Sequence, residues 1–392
     1  NKPAEVEAIE AFLLSQAEFR HNVITHHCEI RWTEEAGFLP LTDRDVNTLW
    51  GRMNKTVGRV YLTDIYNVIH SEFVPLFNPF QSYFDHLPSW DGVSDPIGDL
   101  ADTVHVKSDQ AEFRDYFRKW FVGILPALLD DTVVNHEILV LIGEQGLYKT
   151  TWFNFLLPPE LRCYFYTKTN SDRLNKDDLF SLTEFALICF EELDGMRPAE
   201  LNQLKAMVTM PYVNERAAYG RNKERHPHIA SFCGTGNNVQ FLTDPTGNRR
   251  WLPFEVSQIR DPHLHAIPYE LVYSQAYALW KSGFCHWFSQ EEIRKLNMHN
   301  SRFEVPNLEE DLIRTHFRKP FEGEAGIFVT AADILEQISS CLRYPLSPNK
   351  IGRIMAGLEF ESIRYKGKRG YIAVKKTGED IDRERRSGAL GL

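Results

Sequence analysis

The chain has 392 residues, of which 43% are apolar and 25% charged, and its net charge is −10. Such a length calls for about two to four domains, and the composition is that of a globular protein rather than a disordered or fibrous one. No apolar run is long enough to span a bilayer and no signal peptide opens the chain, so a cytoplasmic protein is expected. The first residue is Asn1 rather than Met, which fits a fragment or a processed chain.

In chain order, apolar residues at helical spacing (Ile9, Phe12, Leu13, Phe19) predict an amphipathic helix over residues 5–20. A short strand is expected from His21 to Trp32, then helices over Asp43–Met53 and Val60–Ser71. A loop of Pro, Asp and Trp residues spans Phe77–Asp91, and helices follow over Pro96–Val104 and Gln110–Leu129. Residues 1–130 thus read as a mostly helical N-terminal domain. At Glu137 the texture changes. Ile138–Ile142 is a near-continuous aliphatic run, as expected of a strand buried on both faces. Ala186–Phe190, His228–Cys233 and Trp251–Phe254 are three more such runs with helical stretches between them. Residues 131–258 therefore read as an α/β core, and 259–318 as a helical linker.

Beyond Lys319-Pro320 the pattern is helix (Thr330–Ser340), helix (Ser347–Leu358) and a ribbon of Glu361–Tyr365 and Gly370–Val374 turning at Lys366-Gly367-Lys368. That order suggests a winged helix over 319–376. From Arg343 to Lys376 nine basic residues face only Glu359 and Glu361, a local charge of +7 in an acidic chain. Nucleic-acid binding depends on such clustering rather than on net charge, so Lys366, Lys368 and Arg369 are candidate duplex-DNA contacts. Residues from about Thr377 are expected to be disordered. Six cysteines (Cys28, Cys163, Cys189, Cys233, Cys285, Cys341) lie far apart with no C-x-x-C pair, which argues against a zinc cluster and a disulfide scaffold; several sit inside apolar runs, as buried thiols in a reducing cytoplasm do.

Four motifs carry chemistry. Gly143-Glu144-Gln145-Gly146-Leu147-Tyr148-Lys149-Thr150-Thr151 follows a buried strand and precedes an apparent helix, which is the setting of a phosphate-binding loop. Gly143, Gln145, Gly146 and Tyr148–Thr151 would cradle the phosphates of ATP with backbone N–H groups. Lys149 would reach the terminal phosphates, and the Thr150 hydroxyl would bind Mg²⁺. Tyr148 stands where this loop ordinarily has Gly, at a cost of roughly 1–2 kcal/mol if the position needs positive φ. Next, the run Ala186–Phe190 ends in Glu191-Glu192 with Asp194 two residues on. Glu191 suits the metal-side carboxylate and Glu192 the base that activates water. Third, Thr235-Gly236-Asn237 ends a strand, where Asn237 can sense the terminal phosphate. Fourth, Arg249 and Arg250 can enter a neighbouring subunit's site; the choice between them stays open, with Arg249 first. Between the second and third motifs, Lys205 and the loop bearing Arg216, Arg221, Lys223 and Arg225 interleave cations with aromatic rings, as strand-tracking loops do.

Together these stretches resemble the VirE family, also called virulence-associated protein E, of mobile elements and phages. Its members look like superfamily 3 helicases, a branch of the AAA+ ATPases. The resemblance is specific from about residue 75 to 258, above all in Glu191-Glu192-Leu193-Asp194, Leu204-Lys205, Phe232–Asn238 and Asp244–Arg250. It implies an α/β P-loop core, ATP and Mg²⁺ as cofactors, and the site roles given above. It further implies Arg249 or Arg250 as a trans-acting finger, a homo-oligomeric ring around single-stranded DNA, and a primase domain or protein as a partner.

Three functions remain open at this stage. One is an ATP-driven DNA helicase or translocase of a mobile-element or phage replication machine. Another is a nucleotide-switched DNA-binding assembly protein, which Tyr148 keeps in play. The third is a P-loop phosphotransferase, which would need an acceptor site and a lid.

Overall fold

The computed structural model describes residues 5–169, 176–215, 224–243, 248–305, 308–321, 323–339 and 347–381. The chain forms two compact units, Asn1–Glu304 and Val305–Leu392.

The first unit opens with α1 (Val6–Gln16), strands β1 (Ala17–Asn22), β2 (His27–Trp32) and β3 (Leu39–Pro40), helices α2 (Asp43–Thr56) and α3 (Leu62–Ile69), and β4 (Leu76–Phe77). The strands form one sheet in the order β3-β2-β1-β4. Ile9, Leu13, Phe19, Ile30, Leu49, Met53 and Ile65 are buried between that sheet and the helices. Helical patterning over residues 1–130 misses this sheet. The single strand expected at His21–Trp32 is two antiparallel strands, because His26 takes a left-handed φ of 56° and reverses the chain. In β1 and β2, burial alternates only in part, which is why the period-2 signal is faint in the sequence.

Next come α4 (Pro79–Asp85), α5 (Pro96–Ala101), β5 (Val104–Val106) and α6 (Gln110–Leu129). Asp109 caps α6 by accepting from the Ala111 N–H. The central elements are β6 (Ile138–Ile142), α7 (Lys149–Phe155), β7 (Phe165–Lys168), α8 (Lys176–Glu184), β8 (Leu187–Phe190), α9 (Pro198–Val208), β9 (Tyr212–Glu215), β10 (Glu224–Pro227), β11 (Ser231–Gly236) and β12 (Trp251–Ile259). Helices α10 (Tyr269–Lys281) and α11 (Gln290–Asn300) close the unit. The main sheet runs β5-β12-β6-β11-β8-β7, parallel except for β5. All five residues of β6 are buried because both faces are covered. Leu139 and Leu141 pack with the aromatic residues of α6 and α7. Ile138, Val140 and Ile142 pack on the other face with Leu201, Leu204 and Val208 of α9.

The larger differences from the expected strand boundaries in the main sheet fall in β11 and β12. The run at His228 becomes regular strand only at Ser231 and continues to Gly236, since pairing with β6 and β8 sets its register. Gly234 and Gly236 break the apolar pattern there but are needed for space: a methyl at Gly234 would overlap Leu193, and one at Gly236 would sit 3.0 Å from the Asp194 carboxylate. β12 runs on from Phe254 to Ile259 because β5 pairs with its second half.

The second unit holds α12 (Leu308–His316), β13 (Phe317–Arg318), β14 (Ile327–Val329), α13 (Ala331–Ser339), α14 (Pro348–Gly357), β15 (Ser362–Tyr365) and β16 (Lys368–Lys375). β16 pairs with β13, β14 and β15. Ile313, Ile334, Ile338, Ile351 and Met355 fill its core. The ribbon turns at Lys366 (φ 48°) and Gly367 (φ 77°), as a tight two-residue hairpin requires. Of the tail expected to be disordered, residues 377–381 are described: Thr377 and Asp380 form a reciprocal cap, and the Ile381 N–H reaches the Thr377 carbonyl; the remainder lies outside the described residues.

Candidate functional site

Parallel strands carry their functional loops at the carboxyl edge, in the crevice where neighbouring connections diverge. Here the ends of β6, β8 and β11 converge there on a cleft of about 360 Å³. Gln145 to Thr151, Glu191, Glu192 and Thr235 to Asn237 line it.

The loop after β6 is shaped by backbone constraints. Gly143 is hydrogen-bonded through its N–H to the Gly236 carbonyl, and a side chain there would meet the Val256 carbonyl at 2.9 Å. Gly146 has a φ of +82°. Tyr148 is also left-handed, at φ 59° and ψ 17°, directly before α7 begins at Lys149. The position thus needs the positive φ that the sequence reading raised as a condition, and Tyr148 bears it as a half-exposed residue.

Lys149 is only 8% exposed. Its ammonium folds back onto the loop, donating to the carbonyls of Gly143 (2.5 Å) and Glu144 (2.7 Å) and to Asn237 Oδ1 (3.4 Å). Burial lowers its pKa, and the charge of Asp194 opposes that shift. The Thr150 hydroxyl donates to Glu191 Oε1 at 2.7 Å, which ties the helix start to the end of β8. Glu192 follows in the left-handed region (φ 55°, ψ 43°) with an exposed side chain. Non-glycine residues held there cluster at functional sites.

Asp194 does what the sequence did not reveal. Its carboxylate accepts from the backbone N–H groups of Asn237 (3.1 Å) and Asn238 (3.0 Å). It therefore fixes the turn after β11 relative to the turn after β8. The signal lay in Gly236, whose missing side chain makes room for that carboxylate, but only the strand register puts the two together.

Arg249 and Arg250 are placed elsewhere. They sit in the turn Asn248–Arg250 that precedes β12, and Trp251 pairs with Ile138 at the start of β6. Lys149 lies beyond the opposite end of that strand, so the sheet separates them by roughly 15 Å or more at about 3.3 Å per residue. Neither arginine can serve this chain's own cleft. Asn300 pins their turn by donating to the carbonyls of Asn248 (2.8 Å) and Trp251 (3.0 Å). Arg249 is exposed and Arg250 half-buried.

Of the residues expected to touch DNA, Lys205 is buried on α9 at 7% exposure rather than presented to solvent. Arg225 lies on β10 with its guanidinium 3.6 Å from the Tyr212 ring across the β9–β10 hairpin. Arg216, Arg221 and Lys223 lie outside the described residues. In the second unit Lys366, Lys368 and Arg369 are exposed at the tip of the β15–β16 ribbon. Among the described residues no group of three or more His, Cys, Asp or Glu side chains forms a metal cage. No helix is long and apolar enough to cross a membrane among those residues.

The fold resembles that of a solved structure. The A-form apo structure of the NrS-1 C-terminal region superposes with a TM-score of 0.50 at 10% identity, covering 94% of this chain and 99% of that one. At that identity the likeness is one of fold. A second structure, titled SCCmec type IV Cch active helicase, gives a TM-score of 0.40 at 11% identity, with 96% of this chain and 95% of that one covered. No curated protein matches the sequence. The virulence-associated protein E-like domain matches residues 85–305, more than half of the chain, and the chain belongs to that family. The match reaches beyond the expected residue 258, through α10 and α11.

Proposed function

We propose that this chain is the Mg-ATP-hydrolysing motor of a DNA helicase or translocase in mobile-element or phage replication, with an AAA+ core of the superfamily 3 type. The observation that carries this reading is the convergence of Lys149, Thr150, Glu191 and Asn237 at the carboxyl edge of a sheet ordered β12-β6-β11-β8-β7. A magnesium ion keeps several waters and takes one or two carboxylates plus phosphate oxygens, so the Thr150–Glu191 pair fits it without a cage. When bound, Mg-ATP brings the scissile phosphoanhydride and neutralises part of its charge. The chain's own residues do the rest. The backbone of Gly143–Thr151 cradles the phosphates, and Lys149 leaves its two carbonyl partners for the terminal phosphate. Glu192 orients and deprotonates water, while Asn237 senses the terminal phosphate. Arg249 or Arg250 acts on a neighbouring copy, which accounts for their place on the far edge of the sheet and makes the working form a homo-oligomer.

The β9–β10 hairpin, with Arg225 on its stem and Arg216, Arg221 and Lys223 in the segment it joins, is the strand-contacting element of this reading. Lys205, buried on α9, belongs to the same strand-contacting region in this reading. The order α12, β14, α13, α14, β15, β16 is that of a winged helix, and Lys366, Lys368 and Arg369 at its ribbon suit duplex DNA. A cytoplasmic setting and a primase partner complete the proposal.

The test is steady-state ATP hydrolysis with Mg²⁺, with and without single-stranded DNA, beside Lys149→Ala and Thr150→Ala. Turnover stimulated by DNA and lost in both variants is expected. The left-handed Tyr148 and the folded-back Lys149 favour one alternative, a nucleotide-switched assembly protein. Tight nucleotide binding without turnover would establish that alternative instead.

A further inference from the structure

A second, roomier cavity in the first unit lies away from the cleft described above. It has a volume of about 780 Å³ and lies between the N-terminal sheet, α4 and the segment leading into β7. A second cleft of about 360 Å³ shares Tyr83, Glu160 and Glu270 with it and continues past Pro158, Pro159 and Tyr269. Shared walls make the two an elongated groove rather than a closed chamber.

The chemistry of the groove is acidic and aromatic. Phe38, Phe77, Tyr83 and Phe185 supply ring faces and edges. Glu160, Glu184 and Glu270 line it without an ion-pair or hydrogen-bond partner among the described residues, Glu184 half-buried and the other two exposed. Burial raises the Glu184 pKa, with His27 and His226 opposing, so an added cation would relieve the cost of that charge. Burial raises the Tyr83 hydroxyl well above its ordinary value, and the charges of Glu160 and Glu270 push it the same way. Arg20, which lines the groove, is already used: it pairs with Glu29 at 2.5 Å, and its guanidinium lies 3.6 Å from the Phe77 ring and 4.1 Å from the Phe38 ring. One wall therefore already holds a guanidinium between two rings and against a carboxylate, while the rest offers the same groups unfilled.

We infer that this groove binds an extended peptide segment of a partner protein whose side chains alternate arginine or lysine with apolar residues. Free carboxylates would take the cations, ring faces the stems and apolar side chains. The continuity of the two clefts suits an extended segment, and the acidic lining repels a polyanion such as nucleic acid. Nothing in this proposal depends on the nucleotide site.

The test uses the full chain and two labelled octapeptides, one alternating arginine with leucine and one alternating glutamate with leucine, followed by fluorescence anisotropy. Saturable binding of the arginine peptide alone is expected. It should weaken about tenfold, or about 1.4 kcal/mol, in the triple variant Glu160→Gln, Glu184→Gln, Glu270→Gln. A control variant (Glu7→Gln, Glu72→Gln, Glu291→Gln) removes three exposed carboxylates elsewhere on this acidic chain and should bind as the parent does. Glu160→Gln, Glu270→Gln as an exposed double variant serves if the triple fails to fold, with a proportionate loss expected. Equal affinity in groove and control variants, or no binding of the arginine peptide, overturns the proposal.

Discussion

Replacing Asp194 with alanine removes both acceptors for the Asn237 and Asn238 N–H groups, at 3.1 and 3.0 Å. A hydrogen bond to a charged group contributes about 1.5–3 kcal/mol net when it is shielded. Asn237 and Asn238 are exposed, so water replaces much of this, and a stability loss of about 1–2 kcal/mol for the pair is expected. The effect on turnover should be larger than the effect on stability. Asn237 approaches Lys149 from the turn that Asp194 holds, and a shift of about 1 Å at a reacting centre can lower a rate about 100-fold. In ATPase assays at saturating nucleotide, kcat should fall about 10- to 100-fold in Asp194→Ala with KM changed only a few-fold. Asp194→Asn keeps one acceptor oxygen and should lie between the two. Urea unfolding of each variant separates a lost fold from a misplaced turn. Unchanged kcat in a folded Asp194→Ala chain would refute the positioning role, provided the parent hydrolyses ATP.

Tyr148→Gly should relieve about 1–2 kcal/mol of left-handed strain against about 0.5–1 kcal/mol of added unfolded-chain entropy. The variant should therefore keep its ATPase activity and match or slightly exceed the parent in urea midpoint. Gly234→Ala puts a methyl into the Leu193 side chain and 3.2 Å from the Phe190 carbonyl. Overpacking there should destabilise the first unit by about 1–3 kcal/mol, read by chemical denaturation. Burial lowers the His228 imidazole to about 4, although its Nδ1 donates to the Met210 carbonyl. The unfolded chain thus takes up a proton near its ordinary value of 6.5 that the folded chain refuses, so stability falls as pH drops from about 6.5 to about 4. Burial also raises Glu137 to about 7, which acts with the opposite sign in an overlapping window, so the readout is a comparison. The urea midpoint should lose less over that window in His228→Phe than in the parent, and parallel curves would show that His228 does not contribute.

Much of the site was legible because it follows from local chemistry. A buried aliphatic strand followed by glycines, Lys149 and Thr150 can be read from neighbours in sequence, as can acids at the end of Ala186–Phe190. The long helix α6 was legible from its first half, where Phe113, Tyr116, Phe117 and Trp120 recur at helical spacing before the fully buried run that ends at Leu128. Short strands were less so. β5, β7 and the β1–β2 pair owe their extended form to partners distant in sequence, and runs of three to six residues leave little periodicity to detect.

What the sequence determined alone was the inventory of reactive groups and the order of the strands that carry them. Only the tertiary structure decided which groups meet. Parallel pairing of β6, β8 and β11 brings Glu191 to Thr150 and Asp194 to Asn237, and sends Arg249 and Arg250 to the far edge of the same sheet. It also buries Lys205, which the sequence could only mark as a cation. The reason is physical: side-chain chemistry is set by residue type, whereas proximity depends on register, and register is chosen by burying both faces of the sheet together.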